Sequence, residues 1–316
     1  MPQIQIVSYS ELDTFRQCNL KHLLAYKQRW TTEKAEDSAL GKGSMWHKVM
    51  EDHHLVLMQA QKDANYRTPS PSDQRAILAK CRDAIRPHIM DEQGNQTPTQ
   101  ALIEWMYDGY VEFHGIDDEW ITVGVELPAQ VPLPWPDGRP SHYHLKLKMD
   151  RLVRSKRDGQ LWIEDHKSGA NKPNQFELQL DDQFGLYTWA VAIPLGQKVM
   201  GSMHTYCRTT QNTGDRPEET WPKGKKYKPQ TLEDRNERFY LNRSDRELKA
   251  LADDAFAAAR NAYPPKGMQL PLYSAPDVRN CGWKCDFKEA HLMLREGLSI
   301  EHVMKAEGFH QDFTRH

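Results

Sequence analysis

From residue 143 to 155 the chain reads YHLKLKMDRLVRS, with apolar and polar residues alternating at its start. A period of two is the mark of a strand with one face in a core. Tyr143, Leu145, Leu147 and Met149 fall on one face, and His144, Lys146, Lys148 and Asp150 on the other. Arg157-Asp158-Gly159 supplies turn chemistry and leads into QLWIEDHKS, a second strand that closes a hairpin. WITVGVELPAQVPL (120–133), followed by the turn PWPDGRP, and KVMGSMHTYCR (198–208) read as further strands. The stretches 8–30, 43–63, 73–90 and 99–114 carry helical patterns, as does 174–192. Ser8 with Glu11, and Ser10 with Asp13, resemble capping boxes at the first helix start. Residues 209–236 are polar and read as a loop or flap. The stretch 237–263 holds a strand, a cap (Ser244 with Glu247) and a long helix, with a last helix near the C-terminus. This order predicts an α/β or α+β enzyme-like domain. It has a helical part (1–119), a sheet core (120–208) and a loop, helix and cysteine-containing part (209–316).

Bulk properties narrow the classes. The 316 residues suffice for a substantial core. A net charge of −2 rules out a global basic field, so any nucleic-acid surface must be local. Mean hydropathy is −0.80, and no apolar run approaches the length of a membrane span. The start MPQIQIVSYSELD lacks signal-peptide regions, and the expectation is a cytoplasmic protein. In a reducing compartment the five cysteines are free thiols or metal ligands, not a disulfide framework.

The chemistry concentrates where LWI runs into Glu164, Asp165, His166 and Lys167. Charges at the end of a core strand are costly unless they pair, bind an ion or react. Asp165 and Lys167 are two apart and share a face. If the hairpin register holds, Asp150 lies beside them. Two carboxylates and a lysine on one edge suit a hard cation such as Mg2+ and point to phosphodiester hydrolysis. The competing reading is a surface hairpin with weak exposed pairs.

Five ordered stretches together resemble the RecB-like branch of the PD-(D/E)XK nuclease superfamily, over roughly residues 8–290. SYSELDTFRQCNLKHLLAY is similar to its N-terminal helix, and GKGSMWHKVME to its G-x3-H-x3-E motif with Gly43, His47 and Glu51. LKMDRLV resembles the first acidic motif, with Asp150, although Lys148 stands near where a small residue is usual. WIEDHKSG resembles D-x-K-(T/S)-G through Asp165 and Lys167, and QFGLY resembles Q-x3-Y through Gln183 and Tyr187. Phage exonucleases and CRISPR-associated and AddB-type exonuclease domains are the members most similar in pattern.

The resemblance implies a restriction-endonuclease-like core: a mixed β-sheet flanked by helices, with an N-terminal helical region, in one nuclease domain over 1–316. It implies a DNA exonuclease of recombination or repair, of phage or bacterial origin, dependent on Mg2+ or Mn2+. His47, Asp150, Asp165 and the carbonyl of His166 would ligate the metal. Lys167 would serve the attacking water, and Gln183 and Tyr187 would touch DNA or support the lysine. Glu126 is a supporting candidate. His53 and His54 could equally be solvated, and Tyr187 could equally be core. Glu164 is expected on the opposite face from Asp165. Trp162 and Trp189 are expected to be buried.

For DNA contacts, Lys146, Lys148, Arg151 and Arg154 flank the proposed site, and KGKKYK (223–228) lies in the polar loop, where an exposed flexible run is the plainer reading. In iron–sulfur members of the family, one N-terminal and three C-terminal cysteines hold a cluster. Here Cys18, Cys281 and Cys285 match, and His291 stands in the fourth place. A 4Fe–4S cluster, zinc or a metal-free site are the alternatives, and the metal-free reading is placed first. Cys81 and Cys207 read as core. The expected partners are DNA and a recombination protein. Idle DNA-binding subunits and selective endonucleases are the rival classes.

Overall fold

The computed structural model describes residues 3–33, 37–264, 277, 279, 281–282 and 285–314. Along the chain come β1 (Gln5–Ser8), α1 (Tyr9–Gln17), α2 (Asn19–His22), a π-helical turn (Leu23–Lys27) and β2 (Trp30–Thr31). Next are α3 (Ala39–Asp63), α4 (Pro71–Ile89), α5 (Pro98–His114), β3 (Trp120–Pro134), β4 (Pro140–Ser155) and β5 (Leu161–Gly169). Then follow α6 (Gln175–Leu180), α7 (Asp182–Leu195), β6 (Val199–Arg208), α8 (Leu232–Arg235), β7 (Asn236–Leu241) and α9 (Asp245–Ala262). The last elements are α10 (Lys288–Arg295), α11 (Ile300–Ala306) and β8 (His310–Gln311). Among the described residues no helix is long and apolar enough to cross a membrane.

The chain divides into two compact units. One comprises Met1–Lys34, Gln130–Leu147 and Ala250–His316; the other comprises Ala35–Ala129 and Lys148–Lys249. In the first, β1 pairs in parallel with Tyr143–Lys146 of β4. An apolar cluster there joins Leu20, Leu24 and Trp30 to Phe287, Leu294 and Phe309.

The second unit holds the candidate chemistry. Its part of β4 pairs antiparallel with β5, β5 pairs in parallel with β6, and β6 pairs antiparallel with β7. The sheet is therefore mixed, with helices packed on it, as expected. Helix α7 connects β5 to its parallel neighbour β6, the usual solution for a parallel pair. Helix α3 is capped by Ser38, whose side chain accepts the Gly41 N–H at 3.0 Å. Its buried residues, Trp46, Val49, Met50, His53, His54 and Leu57, follow helical three-and-four spacing. Trp46, Val49 and Met50 meet Ile85 and Ile89 of α4, Ile103, Met106, Tyr107 and Tyr110 of α5, and Cys207 of β6.

Two expected helices are broken. The 8–30 stretch stops at Cys18, whose backbone is extended and whose sulfur caps α2 by accepting the Lys21 N–H at 3.5 Å. The 174–192 stretch splits at Asp181, whose carboxylate accepts the Gln183 N–H at 2.9 Å and starts α7. In both cases a local side-chain acceptor competes with helix continuation. The Ser8 and Ser244 caps form, whereas the Ser10 hydroxyl meets that of Ser8.

Candidate active site

Strand β5 divides its charges between two faces. The register pairs Arg151 with Glu164, which sets Asp150 beside Asp165 on the paired strands. The His166 N–H donates to Asp150 Oδ2 at 2.8 Å. Lys167 Nζ lies 3.2 Å from Asp165 Oδ1 and 2.9 Å from Oδ2. From α3, His47 Nδ1 comes within 3.1 Å of Asp150 Oδ2. Four side chains from one helix and two strands thus converge.

Their electrostatics are mutually dependent. Burial pushes Asp165 up to about 6; Lys167 opposes this and the Asp150 charge adds to it. Burial alone would raise Asp150, but its hydrogen bond and charge contact with His47 outweigh this and hold it low. Burial works against the charged forms of His47 and Lys167 as well, yet carboxylates raise both: Asp150 acts first on His47, and Asp165 first on Lys167. Lys167 therefore remains an ammonium at neutral pH.

On α7, Gln183 hydrogen-bonds Tyr187 one turn on, and Tyr187 feels the charges of Asp165, Lys167 and Asp150. Burial is the main cause that pushes the Tyr187 hydroxyl up to about 12, so it stays neutral. Glu126 has a left-handed backbone (φ 52°) and pairs closely with Lys148. Lys146 and Lys148 are exposed, as is most of 223–228. A Cβ on Gly43 would meet nothing within 4 Å, so packing does not demand glycine there.

Arg151 requires a correction. It is 0% exposed, and its NH1 lies 2.7 Å from both Asp117 Oδ2 and Glu164 Oε2. It also donates to Thr122 Oγ1. A side chain so enclosed does not present itself to DNA. Arg238 joins the network, reaching Asp117 and Glu164 at 2.8 Å each. The strand alternation that sends Asp150 to the face of Asp165 and Lys167 sends Arg151 to the other. His53 and His54 are likewise buried, not solvated. His53 Nδ1 lies 2.9 Å from Tyr107 Oη, and His54 Nε2 lies 2.9 Å from His166 Nε2. Their spacing of seven and eight residues from Trp46 is the sequence signal that sets them on the buried stripe of α3. Trp162 and Trp189 are half-buried, and Trp162 lines an open cleft with Trp120 and Tyr240, apart from the carboxylates.

A family model described as the PD-(D/E)XK nuclease superfamily matches residues 6–290. The chain belongs to this superfamily. No curated protein matches it. Among solved structures, one described as "Crystal structure of SSO0001" matches at 11% identity over 68% of this chain and 97% of that chain. Its TM-score is 0.27.

PD-(D/E)XK nucleases use divalent ions such as Mg2+ or Mn2+. The cluster fits such an ion. Asp165 Oδ2 is buried and is approached by the Lys167 ammonium alone, at 2.9 Å, Asp150 stands beside Asp165 on the paired strand, and an imidazole lies against Asp150. Among the described residues, the grouping that brings three ligand atoms within 4.8 Å of one another is a different one, His54, Glu164 and His166; His47, Asp150 and Asp165 are not drawn in so tightly. The tighter grouping fits a cation less well. Glu164 Oε1 already accepts from Thr205 and Arg238, Oε2 accepts from Arg151, and two guanidinium charges stand beside it.

Burial raises the Cys285 thiol, with smaller contributions from nearby Cys18 and Cys281, and Cys18 and Cys285 pack on the apolar cluster of the first unit. They and His291 do not appear among the metal-sized groupings of the described residues. Cys81 and Cys207 are buried, as expected.

Proposed function

We propose that the chain is a metal-dependent DNA exonuclease of the RecB-like branch, acting in recombination or repair, with 1–316 working as one nuclease domain. The observation that carries the reading is the convergence of His47, Asp150, Asp165 and Lys167 in a superfamily member. His47, Asp150 and Asp165 would hold Mg2+ or Mn2+. When bound, the ion supplies an acidified water and offsets charge on the phosphoryl group. Lys167, kept protonated by Asp165, orients the water and stabilises developing negative charge; as an ammonium it does not act as the base. Tyr187, neutral and hydrogen-bonded to Gln183, offers a hydroxyl beside the lysine to support it or to contact the strand. Exposed Lys146 and Lys148 are suited to phosphate contacts without sequence preference.

The test incubates end-labelled linear DNA and a closed circle with the protein and Mg2+ or Mn2+, beside Asp165→Ala and Lys167→Ala. Loss of the linear DNA alone, abolished by both substitutions, is expected. Cleavage of the circle would replace the exonuclease with an endonuclease. Binding without cleavage under either metal would favour an idle or partner-dependent subunit.

A further inference from the structure

The contacts among α3, β4 and β5 form a closed circuit. His47 Nδ1 is 3.1 Å from Asp150 Oδ2. The same oxygen accepts the His166 N–H at 2.8 Å. The ring of the same His166 meets His54, Nε2 to Nε2, at 2.9 Å. His54 lies back on α3, seven residues after His47, which is two helical turns and about 10 Å along the axis. The helix is therefore held at two points, one at the carboxylates and one beneath the strand that carries Asp165 and Lys167.

The second point is directional. A nitrogen-to-nitrogen hydrogen bond needs one imidazole to donate and the other to accept. The rings also stack, with centroids 4.9 Å apart and planes inclined by 21°. Both residues are 1% exposed, and the Nδ1 atoms of both are buried without a partner. The Nε2 contact is thus the hydrogen bond that fixes each ring. A leucine at 54 would fill the space but would set no register against β5.

We propose that His54 is a positioning residue: acting through His166, it sets where α3 lies against β5 and so where His47 stands relative to Asp150 and Asp165. The inference rests on reading those three residues as a metal site. Mg2+ tolerates little departure from octahedral geometry, so a small slide of α3 is enough to degrade the site. Partners that orient metal ligands are worth 10–100-fold in affinity on removal.

The full chain is titrated with Mn2+, and free Mn2+ is followed by electron paramagnetic resonance, without substrate. Wild type is compared with His54→Leu, His54→Ala, His54→Gln and Asp165→Asn, and the melting of each metal-free protein is recorded. The leucine and alanine variants are expected to weaken Mn2+ binding roughly 10–100-fold. Glutamine, whose side-chain amide reaches near the Nε2 position, is expected to recover most of it. A purely structural role would lower the melting temperature and leave the affinity of the folded protein unchanged. Wild-type affinity in His54→Leu, with binding still weakened in Asp165→Asn, would overturn the proposal alone. No Mn2+ binding by wild type, or binding insensitive to Asp165→Asn, would overturn the metal-site reading and this proposal with it.

Discussion

Replacing Arg151 separates two incompatible roles for one residue. Its guanidinium is enclosed, donating twice to Thr122, once to Asp117 and once to Glu164. In Arg151→Ala, Glu164 Oε1 keeps Thr205 and Arg238, but Oε2 is left with the His166 ring at 3.9 Å. Asp117 keeps Arg238. One buried negative charge is then uncompensated, and removing one member of a buried pair costs about 3–5 kcal/mol. At 2–4 °C per kcal/mol for a unit of this size, the melting temperature should fall by roughly 6–20 °C. Arg151→Met combined with Glu164→Met removes one charge of each sign and leaves Asp117 matched to Arg238. The double variant should recover more than half of that loss, a coupling of the kind contacting groups show. The assay is thermal unfolding of the single and double variants, with DNA binding followed by fluorescence anisotropy in Ca2+ at several salt concentrations. If Arg151 were a phosphate contact, melting would stay within about 1 °C and the salt slope would drop by about 1. That result, or strictly additive losses in the double variant, would refute the buried-network account.

Further expectations concern the proposed metal site, the exposed lysine beside it and the cysteines. Because burial raises Asp165 to about 6, its contribution to the stability of the metal-free protein is present below the unfolded value and is lost as pH rises through 6. Asp165→Asn in EDTA should therefore melt higher than wild type at pH 8, by an upper bound on the order of 3 kcal/mol less what Lys167 forfeits, and the gap should close near pH 4; an unchanged gap across that range would contradict it. The stabilisation of wild type by Mn2+ should be largest above pH 7 and fade below 6, readable by the same melts. Lys148→Ala, at an exposed position, should change stability by no more than about 0.5 kcal/mol while lowering DNA affinity and the salt slope by about 1, and unaltered binding would remove it from the interface. Anaerobically purified protein should hold no stoichiometric iron, since Cys18 caps α2 and burial, ahead of Cys18 and Cys281, raises the Cys285 thiol; iron analysis and visible absorption, with Cys285→Ser as control, decide it.

Period-two alternation was enough to place Tyr143, Leu145, Leu147 and Met149 inside and to bring Asp150 beside Asp165, because strand geometry leaves only two directions for a side chain. The helix starts expected at 73 and 99 lie within two residues of those observed, at Pro71 and Pro98, where Ser70 and Thr97 cap the first turn. The breaks at Cys18 and Asp181 were not legible, since a single side-chain acceptor decides them and its competition with the helix has no periodic signature. Arg151 was misread because charge was taken as a sign of exposure, and the sequence leaves His54 open between a solvated and a structural place. Their partners, Asp117, Glu164 and His166, are distant in sequence, and only the fold shows that their polar groups have partners indoors.

The alternation that misled for Arg151 also explains why charged residues sit at the end of a core strand. Asp165 and Lys167 point to one side of β5, and Glu164 and His166 to the other. A strand buried on both faces cannot carry a charged reactive edge unless the opposite face is neutral or matched. Here it is matched: Arg151 and Arg238 against Asp117 and Glu164, two charges of each sign. The matched set ties Asp117, β4, β5 and β7 together directly behind the carboxylates, and Thr205 adds β6. The backbone between Asp150 and Lys167 is thereby fixed by contacts that never touch the face of Asp165 and Lys167. Neutralising Glu164 should accordingly loosen the site through the backbone, and its effect should be additive with that of Lys148→Ala and non-additive with that of His54→Leu, since His54 and Glu164 both act on the strand through His166 and its neighbour.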